Sequence, residues 1–437
     1  MRWLTFALCL CLTWTARADE VERFTLPNGL RVVLAPNQHH SRAMLLVRYA
    51  VGHRDDPKGY RGLAHLTEHL TFTQLDGLAE MEKLGASEIN GITMPDETVY
   101  TAYLPRRSLQ TALWLEASRM AFQLDRLSER QVANEEEIVV AEWRERRHNS
   151  GDDLVGPQIA RALYPETHPY HVRGDDPDDV RFTKLPHVQW FAQQHYRPER
   201  ATVVVVGAFD LEQVRGWTQL YFGAVRATGA AQPRPHEHAP APLAKHCVLD
   251  LPMNYADEVL HAVWLGPARF SDDAMVMRVI ERLLDGHSHA PLLQLAQEDP
   301  QVATTSFERL ELELASEIHV MIEARAPTEA EALVPKLNAT LRKVQHGQLN
   351  DGVPAAVRSA IELAEREQTR LAARASALAE ESTPTLAQLR ARLARVTGDD
   401  VVRVARKWLD PQRRVLVYLT GRNVDSGRAH VDCEPTP

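Results

Sequence analysis

The sequence predicts an α+β protein built from two homologous α/β sandwich domains. Each is a mixed, largely antiparallel sheet with helices on one face, and a Pro-rich linker joins the two. The chain repeats itself without gaps: Val188-Gln-Trp-Phe-Ala-Gln-Gln-His-Tyr-Arg-Pro198-Glu-Arg200-Ala-Thr-Val203 aligns on Val401-Val-Arg-Val-Ala-Arg-Lys-Trp-Leu-Asp-Pro411-Gln-Arg413-Arg-Val-Leu416, an offset of 213 residues and about one domain. Both copies read as an amphipathic helix, a Pro stop and an apolar strand ending near Gly207 and Gly421. Between them, Gln232 to Pro242 is Pro-rich and polar, the composition of an extended linker, in which His236 and His238 read as solvated residues.

The elements follow in order. Residues 1–18 read as a secretory signal: Arg2 is the basic start, Trp3 to Thr15 the short apolar core and Ala16-Arg17-Ala18 the cleavage site. That predicts export across the inner membrane to the periplasm. No later stretch has the apolar length of a membrane span. The domain boundaries predicted are 19–228, a linker 229–243, a second domain 244–425 and a tail 426–437. Phe24 to Leu34 reads as a hairpin turning at Asn28-Gly29. Ala43 to Val51 is an apolar strand, and the stretch that follows it contains Gly62-Leu63-Ala64-His65-Leu66-Thr67-Glu68-His69.

This stretch holds H-x-x-E-H, the reverse of H-E-x-x-H. On a helix, His65 and His69 project from one face about one turn apart, the separation two ligands of a single tetrahedral Zn²⁺ need. Glu68 shares that face and can take a proton from water at the metal. Downstream, Gln131 to Arg147 is a strong helix-forming run without Pro or Gly. Glu135 and Glu142 are two helical turns apart and share a face with Ile138 and Val139, which predicts carboxylates carried toward the interior, where a metal would supply compensating charge. An exposed acidic face pairing with Arg144 and Arg146 is the other reading. It suits Glu136, Glu137 and Glu145 better than Glu142.

The runs Gly52-His53-Arg54-Asp55-Asp56-Pro57, Gly62 to Phe72, Asn90-Gly91-Ile92-Thr93-Met94-Pro95-Asp96-Glu97-Thr98-Val99-Tyr100 and Glu135 to Glu142 closely resemble the N-terminal core of the pitrilysin (M16) metallopeptidases. The resemblance covers essentially the whole chain after the signal. It implies that His65, His69 and Glu142 hold Zn²⁺, that Glu68 is the general base, and that Glu135 orients a ligand. It also implies that Asn90 helps hold a peptide substrate. By parity, Ile92, Thr98, Tyr100 and Ala102 face one way and Glu97, Val99 and Thr101 the other, as in an exposed strand to which an extended peptide could add. Asn90-Gly91 as a plain hairpin turn is the competing reading.

With 44% apolar and 25% charged residues in 437, the composition is that of an ordinary globular protein of more than one domain. The formal charge is −9, or −11 once Arg2 and Arg17 leave with the signal (−9 − 2), and no basic motif is present, which argues against nucleic acid. After the signal, two cysteines remain, Cys247 and Cys433. They can pair in an oxidising compartment, or stay a buried thiol and a tail thiol. The second half has no H-x-x-E-H. The resembling family carries there an Arg in a helix and, shortly after, a Tyr, both toward substrate. Here Ala296 stands where that Arg would fall, no Tyr occurs between Tyr255 and Tyr418, and the preceding turn reads Asp285-Gly286-His287-Ser288-His289. His287 and His289 could be polar substitutes, though loop histidines are more often solvated. The expectation is therefore a zinc endopeptidase whose missing groups come from a homologous, non-catalytic subunit in a heterodimer. A homodimer, and a catalytically inactive partner or structural subunit, are the alternatives.

Overall fold

The Val-rich runs become central strands because both of their faces find cover. The protein is represented by a computed structural model that describes residues 21–420 and 430–432, apart from 74–76, 123, 125–126, 150–151, 228–242, 244–245, 253–256 and 381. The predicted signal, all of the predicted linker but Leu243, and Cys433 lie outside the described residues.

The first half forms β1 (Glu22–Thr25), β2 (Arg31–Pro36), β3 (Arg42–Tyr49), β4 (Ser87–Thr93), β5 (Thr98–Pro105) and β6 (Ala201–Gly207), in the order β1-β2-β6-β3-β5-β4. The second forms β7 (Cys247–Pro252), β8 (Val259–Gly266), β9 (Val302–Glu311), β10 (Ser316–Ala324), β11 (Val415–Thr420) and β12 (His430–Asp432), in the order β12-β7-β11-β8-β10-β9. In each sheet one neighbouring pair is parallel, β2 with β6 and β7 with β11, and the other pairs are antiparallel. Writing β7 for β2, β8 for β3, β9 for β4, β10 for β5 and β11 for β6 converts one order into the other. The remaining edge differs. β1 is the first strand among the described residues, whereas β12, which fills the same place, comes from the stretch read as a tail.

The helices of the first half are α1 (Leu63–Thr73), α2 (Gly77–Lys83), α3 (Leu109–Phe122), α4 (Glu129–Asn149), α5 (Asp152–Leu163), α6 (Pro177–Phe182), α7 (Leu185–His195) and α8 (Leu211–Phe222). Those of the second are α9 (Asp272–Asp285), α10 (Pro291–Glu298), α11 (Val334–Gln345), α12 (Val353–Thr369), α13 (Leu371–Ala379), α14 (Leu386–Leu393) and α15 (Gly398–Trp408). The 213-residue offset maps α7 onto α15 at both ends. No helix among the described residues is long and apolar enough to cross a membrane.

Each half packs its own helices on one sheet face, as the fold class requires: Leu66, Leu113, Phe191 and Val214 meet Val203 and Val205. The opposite faces are covered by exchange. Leu371, Ala375 and Ala379 of α13 pack on Leu46, Val204 and Val206 of the first sheet. Val155, Ile159 and Leu163 of α5 pack on Leu249, Val263 and Val417 of the second. This double cover explains why β6 is buried along its whole length. A polar seam joins the equivalent β4–β5 and β9–β10 turns. Asp96 accepts from Tyr170 Oη at 2.6 Å and from the Glu313 backbone N–H at 2.8 Å, and Arg54 pairs with Asp96 at 2.8 Å and Glu313 at 3.0 Å.

β1 and β2 form the expected hairpin, and its connection, Leu26 to Leu30, contains Asn28-Gly29. Gly29 takes φ 87°, and the Asn28 side chain donates to the carbonyls of Phe222 and Val225. Asn90-Gly91 is no turn: both lie inside β4, opposite Thr101 and Tyr100. The exposed edge strand is β4, whereas β5 lies inside the sheet.

Candidate metal centre

α1 starts where Gly62 turns with φ 93° and the Asp56 carboxylate accepts from the backbone N–H groups of Gly62 (2.9 Å) and Ala64 (2.7 Å). Leu63, Ala64, Leu66 and Leu70 anchor it in the core. That leaves His65 and His69 on the outer face, with ring centroids 4.7 Å apart and planes at 83°. The potential ligand atoms of His65, Glu68 and His69 lie within 4.8 Å of one another.

α4 crosses α1 and brings both predicted carboxylates. Glu142 Oε2 stands 3.7 Å from His65 Nε2 and 3.6 Å from His69 Nε2. Those separations are long for hydrogen bonds. They match the edge of a tetrahedron with Zn–N and Zn–O bonds of 2.0–2.2 Å, about 3.4 Å between ligand atoms. Each histidine has its other nitrogen engaged: His69 Nδ1 meets Glu135 Oε2 at 3.2 Å and His65 Nδ1 meets Asp175 Oδ2 at 2.9 Å. Protons held on both Nδ1 atoms leave both Nε2 lone pairs facing Glu142, so this donor set fits a zinc ion. Ile138, predicted to share this inward face, is 45% exposed, and Glu136, predicted to be solvated, is buried and 3.7 Å from Lys184 Nζ. Val139 is buried as expected, so the inward face is narrower than predicted and rotated toward Glu136.

Asp175 is the site residue that the sequence did not reveal. It is buried, with Arg146 donating to its Oδ2 at 2.9 Å and reaching Glu142 at 3.3 Å. Burial alone would raise its pKa, but His65, His53 and Arg146 hold it well below the usual carboxylate range. In Gly174-Asp175-Asp176-Pro177 the local signal marks only Asp176, which precedes Pro177 and caps α6 through Oδ1 to the N–H groups of Asp178 and Asp179, and nothing local marks Asp175 as a partner of His65. The Glu142 carboxyl is held low chiefly by His69. Burial pulls the His69 imidazole down, yet the carboxylates of Glu135 and Glu142 outweigh it and push this proton site up to about 10.

Glu68 is 5% exposed, and burial raises its pKa against the opposing pull of His65 and His69. It faces β4: Thr93 Oγ1 donates to Glu68 Oε2 at 3.4 Å, and the α-carbon of Gly91 backs onto its carboxylate. Asn90 is exposed on β4 and lines the same cleft, a cavity of about 520 Å³ whose walls among the described residues come from the first half alone.

In the second half, His287 and His289 are exposed, as solvated loop residues would be, and Ala296 sits on α10. His236 and His238 lie outside the described residues. Cys247 is disulfide-bonded. Its predicted partner, Cys433, lies outside the described residues.

Residues 31–175 match the family model described as Insulinase (Peptidase family M16), and 185–354 match the Peptidase M16 inactive domain. The chain is 27% identical over 344 residues to "Zinc protease PqqE" of Helicobacter pylori, covering 75% of each. It is 28% identical over 265 residues to "Coenzyme PQQ synthesis protein F" of Pseudomonas syringae, an alignment taking in 57% of this chain and 32% of that one. Among solved structures, a protease from Helicobacter pylori superposes with a TM-score of 0.83 at 22% identity, covering 92% of this chain and 100% of that one. The periplasmic protease PqqL of Escherichia coli gives 0.75 at 17% identity, covering 94% of this chain and 49% of its own. The first of these models spans β2 to β5 and holds the histidine–glutamate cluster, the second runs from α7 to the start of α12, and together they take in most of the chain: the chain belongs to peptidase family M16.

Proposed function

We propose that the protein is a zinc-dependent endopeptidase acting on extended peptides or unfolded segments. The observation that carries this reading is the disposition of His65 Nε2, His69 Nε2 and Glu142 Oε2 at tetrahedral spacing, with the buried carboxylate of Glu68 beside them. His65, His69 and Glu142 would hold the ion, with Asp175 and Glu135 fixing the two imidazoles. Zinc bound there would acidify water and polarise a peptide carbonyl. Glu68 accepts the proton from the attacking water and delivers it to the leaving amine. A pKa raised by burial favours both transfers, because the carboxylate is a stronger base than in water and a usable acid afterwards. An extended substrate adds to the open edge of β4, with Asn90 beside it. The first domain is taken as 19–228 and the second as beginning at 244 and running on to include β12, with the chain exported to the periplasm on the 1–18 signal.

Ala296 and the lack of any Tyr between Tyr255 and Tyr418 support a heterodimer in which a homologous, non-catalytic subunit supplies an Arg and a Tyr toward substrate. Groups of that kind contribute a few kcal/mol each in such sites. The same departure favours the second reading, an inactive family member. Stoichiometric zinc in the purified mature protein, peptide cleavage that rises on adding the homologous partner, and loss of cleavage with zinc retained in Glu68→Gln are the expected results. Zinc-free protein would support the inactive reading. Full activity from the chain alone, with no gain from a partner, would remove the heterodimer.

A further inference from the structure

We infer that the groove behind β4 is a side-chain subsite for large apolar residues of the substrate, and that the second half builds its far wall. This inference rests on the peptidase reading above. β4 is an edge strand whose side chains alternate between two cavities. Gly91 pairs with Tyr100 and faces α1, and Thr93 on the same face donates to Glu68. Ile92 pairs with Val99, which belongs to the cluster under α13, so Ile92 and Asn90 point to the other side. There a second cavity of about 510 Å³ opens, floored by Met44, Leu46 and Val99. Ile92, 46% exposed, forms one wall and α13 the other.

On α13, Ala372, Ser376 and Ala379 recur at helical spacing on the groove side, and none of them is long enough to fill it. The groove's Arg48 and Glu97 are ion-paired with each other, so that pair presents no net charge to an occupant. Asn90 and Ile92 line both this groove and the catalytic cleft, which makes the two continuous around one strand. A peptide paired to the edge of β4 continues its pleat. Every second side chain then lies on the Glu68 face, and the side chains between them enter the groove. Selection by this subsite therefore has a period of two residues.

The test uses full-length, zinc-loaded Glu68→Gln protein and a fluorescent Gly/Ser/Ala peptide in which a single Leu is walked through each position. Binding by anisotropy should favour Leu over Ala roughly tenfold at two positions spaced two residues apart, and not at the position between them. Ser376→Trp, placed on an exposed position of the wall, should bring that Leu/Ala ratio close to one, while Ser376→Ala keeps it. Zinc content and melting temperature report that the fold is intact. An unchanged ratio in Ser376→Trp, or a preference without the two-residue period, overturns the subsite. Failure of the protein with Glu68 intact, alone and with its partner, to cleave any peptide would overturn the peptidase reading separately, because the binding ratios still decide the groove.

Discussion

Gly91 on β4 and Glu68 on α1 are in such close contact that a β-carbon at residue 91 would lie 2.3 Å from Glu68 Oε1. The tight fit is to the neighbouring carboxylate and not to the glycine's own backbone, which is ordinary strand, so a β-carbon here has to displace the Glu68 side chain. The open edge of β4 and the candidate base are set against each other by this one contact.

Gly91→Ala should accordingly fold and bind zinc with His65, His69 and Glu142, while displacing Glu68. We expect peptide turnover to fall by about a hundredfold or more at unchanged zinc stoichiometry, since misplacing a catalytic group by about 1 Å costs that much. Steady-state kinetics beside metal analysis checks it. Normal turnover would mean that Glu68 tolerates the shift and is not positioned by Gly91.

Asp175→Asn keeps the shape but removes the charge that holds the His65 Nδ1 proton. Zinc affinity, read by chelator competition, should weaken about 10- to 100-fold. Asp176→Ala, one residue along, should leave zinc affinity intact and lower stability by about 1 kcal/mol through loss of the α6 cap. Equal effects on zinc would refute the division of labour between the two aspartates.

His65→Ala and Glu142→Ala should each lose stoichiometric zinc. Removing one of three protein ligands deprives the ion of a charge or lone pair that water replaces poorly. Retained zinc in Glu142→Ala would mean that Glu142 is not the third ligand.

Asp273, at the start of α9, ties α15 to the second half's core. Burial would raise its pKa, but Lys407, Arg403 and Trp408 donate to it and bring it to about 2. A depressed carboxylate contributes stability above its unfolded pKa of about 3.9 and loses it as pH falls through the folded value. Asp273→Asn should therefore be less stable by about 1–2 kcal/mol at pH 6, after allowing for solvent screening, with the gap closing as pH falls from about 4 toward 2. Urea unfolding of both proteins across that range measures it, and a gap that does not shrink would rule out the ion pairs as its source.

Much of the site was legible because its parts are close in sequence. His65, Glu68 and His69 share one helical turn, and Glu135 and Glu142 sit two turns apart on another helix, so their faces follow from 3.6-residue periodicity. Ile138 broke that pattern. It is apolar yet 45% exposed, while Glu136 is buried, because what covers a helix is decided by its neighbours and not by its own sequence. Asn90-Gly91 carried a strong turn signal, yet it lies in a strand whose glycine makes room for Glu68.

The sequence by itself determined the repeat, the two helix faces that carry the donors, and the α+β class, all of which are written in spacings a single chain displays. Only the tertiary structure decided that Asp175 reaches His65 across 110 residues, that α5 and α13 are exchanged between the halves, and that β12 fills the place of β1. Those outcomes depend on which apolar faces meet and which buried polar atoms must find partners. Both are long-range questions of packing and desolvation, settled only when the two sheets come together.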